Sequence, residues 1–188
     1  SSTSQDGLVQ QAVQMARLLR DQLFLNGYKA FLYPESNSWK TVAEGCALTA
    51  GIIGGLGGSR CRTAVAHPIH NGLTQLSYTN KPLHGELVGL GLLVQLNLEE
   101  KNANSQLPKQ AHFQLIDFFS QLNLPISIKS ICLKSTTSNE LHKACKFACK
   151  SNSDIHQLPF QINEQDLFEA LQSFQSLPSN SQIKVNNS

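Results

Sequence analysis

The sequence predicts an all-α protein, a helical bundle, and three observations carry that reading. Apolar residues recur at helical spacing in several separate windows, most with a capping residue at the start. No stretch alternates like a strand for more than a few residues. Nor is there the strand–helix alternation that builds a parallel sheet. The expected organisation is one helical domain over residues 1–177 and a polar tail, 178–188, too poor in apolar residues to order itself.

Leu8, Ala12, Met15, Leu19 and Leu23 mark the first amphipathic helix, with Asp6 placed to cap it and Asn26-Gly27 placed to stop it. Tyr28 to Pro34 then reads as a connection, and Ser36-Asn37-Ser38 supplies a cap for a second helix from about Trp39 to Ile53. The glycine-rich run Gly51 to Arg60 lacks the spacing of a phosphate-cradling loop, so packing or a turn is expected of it. Cys61 to Leu76 can be helical, with Pro68 marking either a kink or a helix start near His67. Ser77 to Pro82 is a polar connection. From His84 to Leu98 the chain is apolar nearly all round, as expected of a buried helix at the centre of a bundle.

Gln110 to Leu122 forms another amphipathic helix, and Ile126 to Leu133 is a connection with β-branched character. Ser138 to Lys150 is a short helix, and Asn163 caps a last one, Glu164 to Leu177. Trp39 and the phenylalanines are read as core.

Composition narrows the function classes. A net charge of +2, from 15 Lys and Arg against 13 Asp and Glu, gives no basic surface for nucleic acid or anionic membrane. No apolar run approaches the ~20 residues of a membrane span, and nothing at the start resembles a signal peptide. Five unevenly spaced cysteines argue against a disulfide framework, so a reducing, cytoplasmic setting is expected. The chain opens Ser-Ser-Thr-Ser rather than with Met, which suggests a processed or partial product.

Chemistry concentrates in Ala66-His67-Pro68-Ile69-His70-Asn71-Gly72 and Leu83-His84-Gly85-Glu86, which hold three of the six histidines. His67 and His70 share one side of a helix, and a second helix joined by a short loop can bring His84 to them. On spacing alone this is either part of a metal site or a set of capping and hydrogen-bonding histidines. With His67 and His84 as two ligands a third is needed: His70 could serve or could equally point at the substrate, and Glu86 and Glu44 stand in no ligand motif. Cys145 and Cys149, with His142 nearby, read as ordinary helix-face residues. Cys61, between Arg60 and Arg62, has no base assigned to it.

These motifs resemble the glycerol dehydrogenase branch of the iron-containing (group III) alcohol dehydrogenases. That branch shows Ala-His-x-Ile-His-Asn-Gly, here Ala66 to Gly72, and His-Gly-Glu opening a long apolar helix, here His84 to Glu86 followed by Val88, Gly89, Leu92, Leu93, Gln95 and Leu96. Ile155-His156-Gln157-Leu158-Pro159-Phe160 resembles the family's segment before its final helix. The resemblance covers about residues 7–177 and implies a dehydroquinate synthase-like C-terminal helical domain. A nucleotide-binding α/β domain normally precedes it.

It implies a divalent metal, zinc or iron, held by His67 and His84. It also implies NAD as hydride carrier and a small polyol or alcohol as substrate, with His70 beside the substrate and placed to relay a proton. The chain departs from the family in lacking the Gly-x-x-Asp-Ala motif that supplies the third ligand and the Gly-Gly-Gly-x-x-x-Asp phosphate loop. Pro68 also replaces a residue often Ala.

The expected function is therefore the metal-binding half of an NAD-dependent polyol dehydrogenase, inactive by itself. The alternatives are a helical module that has lost the metal, or a subunit completed in trans by a nucleotide-binding chain. A homo-oligomer is compatible with either. A sister activity on a polyol phosphate stays open through Arg60 and Arg62.

Overall fold

Asp6 starts the first helix by accepting hydrogen bonds from the backbone N–H groups of Leu8 (3.0 Å) and Val9 (3.5 Å), two donors that the first turn cannot satisfy itself. The computed structural model describes residues 6–57, 66–78, 81–102, 105–131 and 136–175. Among them every regular element is helical. The chain falls into two compact units, Ser1–Thr63 and Ala64–Ser188.

In the first unit α1 (Gly7–Leu32) passes straight through the expected stop. Asn26 keeps its side chain inside the helix, donating to the Gln22 carbonyl at 3.1 Å, and Gly27 is buried among neighbours together with Ala30. The turn comes later, where Glu35 takes a left-handed φ of 69°. Ser36 then caps α2 (Asn37–Glu44) by accepting from the Trp39 N–H at 3.2 Å.

A wider π-helical turn, Gly45–Thr49, leads from α2 into α3 (Ala50–Gly57). The second expected helix thus runs further, with a π-helical turn in it, and the first half of the glycine run is helical. Trp39 is not core: it is 45% exposed. Arg60, Cys61 and Arg62 lie outside the described residues.

The second unit is built round α5 (His84–Asn102), which follows α4 (Ala66–Leu73). Leu87, Leu90, Leu93, Val94 and Leu98 of α5 are all buried, with Leu90, Leu93 and Val94 at 0% exposure. Each such leucine contributes roughly 1.5–3 kcal/mol of transfer free energy. Against α5 pack α4, α6 (Leu107–Gln121) and α9 (Glu164–Gln175), while α8 (Ser138–Ala148) lies on α4 and α9. The buried central helix expected from its all-round apolar sequence is therefore present.

The β-branched segment is a different case. Ile128–Ile131 makes one helical turn, α7, because the Ser127 hydroxyl accepts the Ser130 N–H at 3.2 Å, and Ile126, Ile128 and Ile131 face the core. Thr137 and Glu140 form a reciprocal cap on α8. Asn163 caps α9 by accepting from Gln165 (2.8 Å) and Asp166 (3.0 Å). Cys132 and the tail 178–188 lie outside the described residues. No helix among those residues is long and apolar enough to cross a membrane.

One buried polar group limits this core. His112 of α6 is 7% exposed, with Nδ1 3.5 Å from a Glu100 carboxylate oxygen and Nε2 buried without a hydrogen-bond partner. Burial lowers its pKa below the ordinary imidazole value, and Glu100 offsets only part of this. The unfolded chain therefore binds the proton first. Stability is fully present above about pH 6.5 and is lost as the pH falls through the folded value. Urea titrations between pH 7.5 and 5 should show this loss, and His112→Phe should flatten the slope.

Candidate functional site

Helix α4 is eight residues long and has Pro68 in its first turn, where a missing N–H costs no helical bond. Pro68 lies in the first turn of the described helix, and the residues before Ala66 that would separate a kink from a helix start lie outside the described residues. Its start meets the middle of α5, since a Cβ on Gly91 would lie 2.6 Å from the Ala66 carbonyl oxygen. One turn further on, His70 meets His84 at the start of α5, so the two helices run antiparallel. The far end of α4 meets α8, where a Cβ on Gly72 would lie 2.5 Å from the Ala144 carbonyl oxygen. At both places only glycine lets the backbones approach so closely.

This packing brings the three sequence-predicted histidines together. The His70 and His84 ring centroids are 4.4 Å apart, edge to face, and those of His67 and His84 are 6.2 Å apart. His84 is exposed at the first position of α5, His67 is half-buried and His70 is buried. Burial lowers the His70 pKa, with smaller contributions in the same direction from His84 and His67, against a hydrogen bond to Asn71. That bond joins Nδ1 to the Asn71 amide oxygen at 2.9 Å. An amide oxygen only accepts, so Nδ1 carries the proton and Nε2 keeps a lone pair.

Two tests bear on a metal. The His67 Nδ1 is buried with no hydrogen-bond partner, an arrangement a protein rarely leaves without a use. Two imidazoles sharing an ion at a metal–nitrogen distance of ~2.0–2.1 Å hold their centroids roughly 5 Å apart. The observed separation, 6.2 Å, is wider than that. Two such donors would supply two positions of an ion's shell. Among the described residues, no three His, Cys, Asp or Glu side chains are grouped closely enough to complete one.

The other candidates are occupied or inert. Glu86 accepts the Leu83 N–H at 2.7 Å and so secures the start of α5. The Cys145 thiol is pushed up to about 12 and that of Cys149 to about 11, chiefly by burial, which removes the thiolate a metal or electrophile needs. His142 stacks on Phe168 at 3.9 Å, and the His156 Nε2 lies 3.1 Å from the Lys150 carbonyl. Sequence reasoning did not single out Asn71 or Gly91. The signal for Asn71 was its place beside His70, where an amide can fix a tautomer.

Comparison with known proteins adds to this geometry. No protein-family model matches the chain. An uncharacterised oxidoreductase of Synechocystis is 44% identical over 92% of this chain and 45% of its own length. A glycerol dehydrogenase of Thermotoga maritima is 33% identical over 86% of this chain and 43% of its own. In fold, a glycerol dehydrogenase structure from Schizosaccharomyces pombe superposes with a TM-score of 0.75 at 23% identity, over 94% of this chain and 43% of that one. The chain thus spans under half the length of the relatives it matches.

The close approaches lead to a stability prediction. Alanine is favoured over glycine in a helix by up to ~1 kcal/mol, whereas forcing a methyl against a backbone oxygen costs about 1–3 kcal/mol. Gly72→Ala and Gly91→Ala should each therefore lose about 1–2 kcal/mol net in chemical denaturation. Gly85→Ala, whose Cβ would meet nothing within 4 Å, should lose none.

Proposed function

As the counterpart of the C-terminal helical part of the glycerol dehydrogenases, this chain, we propose, is the metal- and substrate-binding half of an NAD-dependent polyol dehydrogenase. The observation that carries the reading is the convergence of His67, His70 and His84, with the His67 Nδ1 buried and unpartnered. His67 and His84 would hold a divalent ion, zinc or iron. A bound ion supplies Lewis-acid polarisation of the substrate oxygen. The nicotinamide of the complete enzyme carries the hydride.

Oxidising an alcohol to a carbonyl releases a hydride and a proton, and the proton needs an acceptor. His70 is suited to that role. Burial favours its neutral form, and Asn71 occupies Nδ1, which leaves the Nε2 lone pair to take the hydroxyl proton. The buried position of α4 against α5 and α8 holds the ring before substrate arrives. The substrate class proposed is a small polyol such as glycerol, bound between His70 and the ion.

A second reading, a helical module that has lost the metal, is favoured by the lack of a third ligand among the described residues. Titration with zinc or cobalt separates the two. The dehydrogenase reading expects one ion per chain, weakened at least about tenfold by His67→Ala or His84→Ala. His70→Ala should leave that affinity within about threefold. Absence of any binding, or binding indifferent to His67 and His84, favours the second reading.

Every regular element among the described residues is helical, and they offer no nucleotide-binding sheet. The chain alone should therefore show no NAD-dependent oxidation of glycerol or 1,2-propanediol. Turnover by the purified chain would overturn that expectation. Restored turnover on mixing with a nucleotide-binding chain would show completion in trans.

A further inference from the structure

Helix α4 begins with an unusual debt. The first four N–H groups of any helix lack helical acceptors, and a partly buried one needs a partner from elsewhere. For Ala66 that partner comes from α5: the Gln95 side-chain oxygen accepts the Ala66 N–H at 3.2 Å. The Gln95 amide is itself oriented, because its Nε2 donates to a Glu99 carboxylate oxygen at 2.7 Å. A charge-assisted bond of that length holds the amide oxygen towards Ala66. Gln95 also interrupts the apolar run Leu87 to Leu96, between the fully buried Val94 and the partly buried Leu96. A polar side chain in such a place costs stability unless both ends are paired, and here both are.

Position gives this relay its meaning. Ala66 precedes His67 directly and His70 by one turn, while Gly91, one turn before Gln95, receives the Ala66 carbonyl. Ala66 is therefore bonded to α5 through its N–H and packed closely against it on its carbonyl side. Steric contact at Gly91 sets how close α4 lies, and the directional bond to Gln95 sets how far it has slid along α5. Sliding moves His67 and His70 past His84 by about 1.5 Å for each residue of register, enough to dissolve the 4.4 Å ring contact.

We propose that Gln95, oriented by Glu99, is a positioning residue that fixes the register of the His67–His70 helix against His84. The inference rests on the proposed function only for its metal readout. The test uses the 188-residue chain with three variants: Gln95→Leu, Gln95→Glu, and the swap Gln95→Glu/Glu99→Gln, which keeps both hydrogen bonds with donor and acceptor exchanged at the second. The readouts are nuclear Overhauser contacts between the ring protons of His70 and His84 without metal, and the affinity and visible spectrum of bound cobalt(II).

Gln95→Leu should weaken the ring contacts, loosen cobalt about tenfold and shift its absorption bands. Gln95→Glu, with two facing carboxylates, should do the same, and the swap should restore wild-type behaviour in both readouts. Unchanged ring contacts in Gln95→Leu, or a swap no better than Gln95→Glu, overturns the proposal. If Gln95→Leu does not fold, the swap against Gln95→Glu decides alone. If the wild-type chain takes no cobalt, the metal reading fails, and the ring contacts still decide the role of Gln95.

Discussion

The distance at which α4 can lie on α5 governs the second unit. At Gly91 the two backbones come so near that no side chain fits between them, and the rest of the arrangement follows from that contact. It brings His67 and His70 close against α5, while the directional bond from Ala66 to Gln95 bears on their level with His84. It also leaves the far end of α4 against α8, where Gly72 makes the same allowance. The apolar mass of α5 supplies the driving force, because burial is large but carries no direction. Direction comes from the two glycine contacts and from polar groups that cannot be buried unpaired. The histidine site is thus a by-product of backbone packing rather than of any one strong bond.

Where the sequence was legible, the signal was local. Asp6, Ser36 and Asn163 all cap the helices expected of them, since a cap is a hydrogen bond across two or three residues and needs no knowledge of the fold. The central helix was legible for another reason: Leu87 to Leu98 is too apolar to lie anywhere but inside. Asn26-Gly27 was misleading because its stop signal is weak against tertiary packing that buries Gly27 and continues the helix. The glycines of α3 tell the same story, each unfavourable in a helix by up to ~1 kcal/mol and overruled by context. Ile126 to Leu133 reads as a connection of β-branched character, yet Ser127 and Ser130 close Ile128–Ile131 into a helical turn.

The site was legible in part. Spacing put His67 and His70 on one side of a helix and allowed His84 to join them, and the three do converge. Spacing could not say that the His84 ring lies nearer to His70 than to His67, which depends on helix register and rotamer. Nor could it say which histidine would be buried. Gly91 shows why: its importance lies in a carbonyl twenty-five residues earlier in the chain, and the one-dimensional pattern holds no trace of it.

The shortness of α4 has a consequence for local stability. Eight residues are too few to hold a helix in water, so α4 is helical only while docked on α5 and α8. Undocking is then a local unfolding event with its own free energy, smaller than that of the whole unit. Any ligand that His67 or His70 grips stabilises the docked state by mass action. Its loss therefore lowers the free energy needed to open this one short helix.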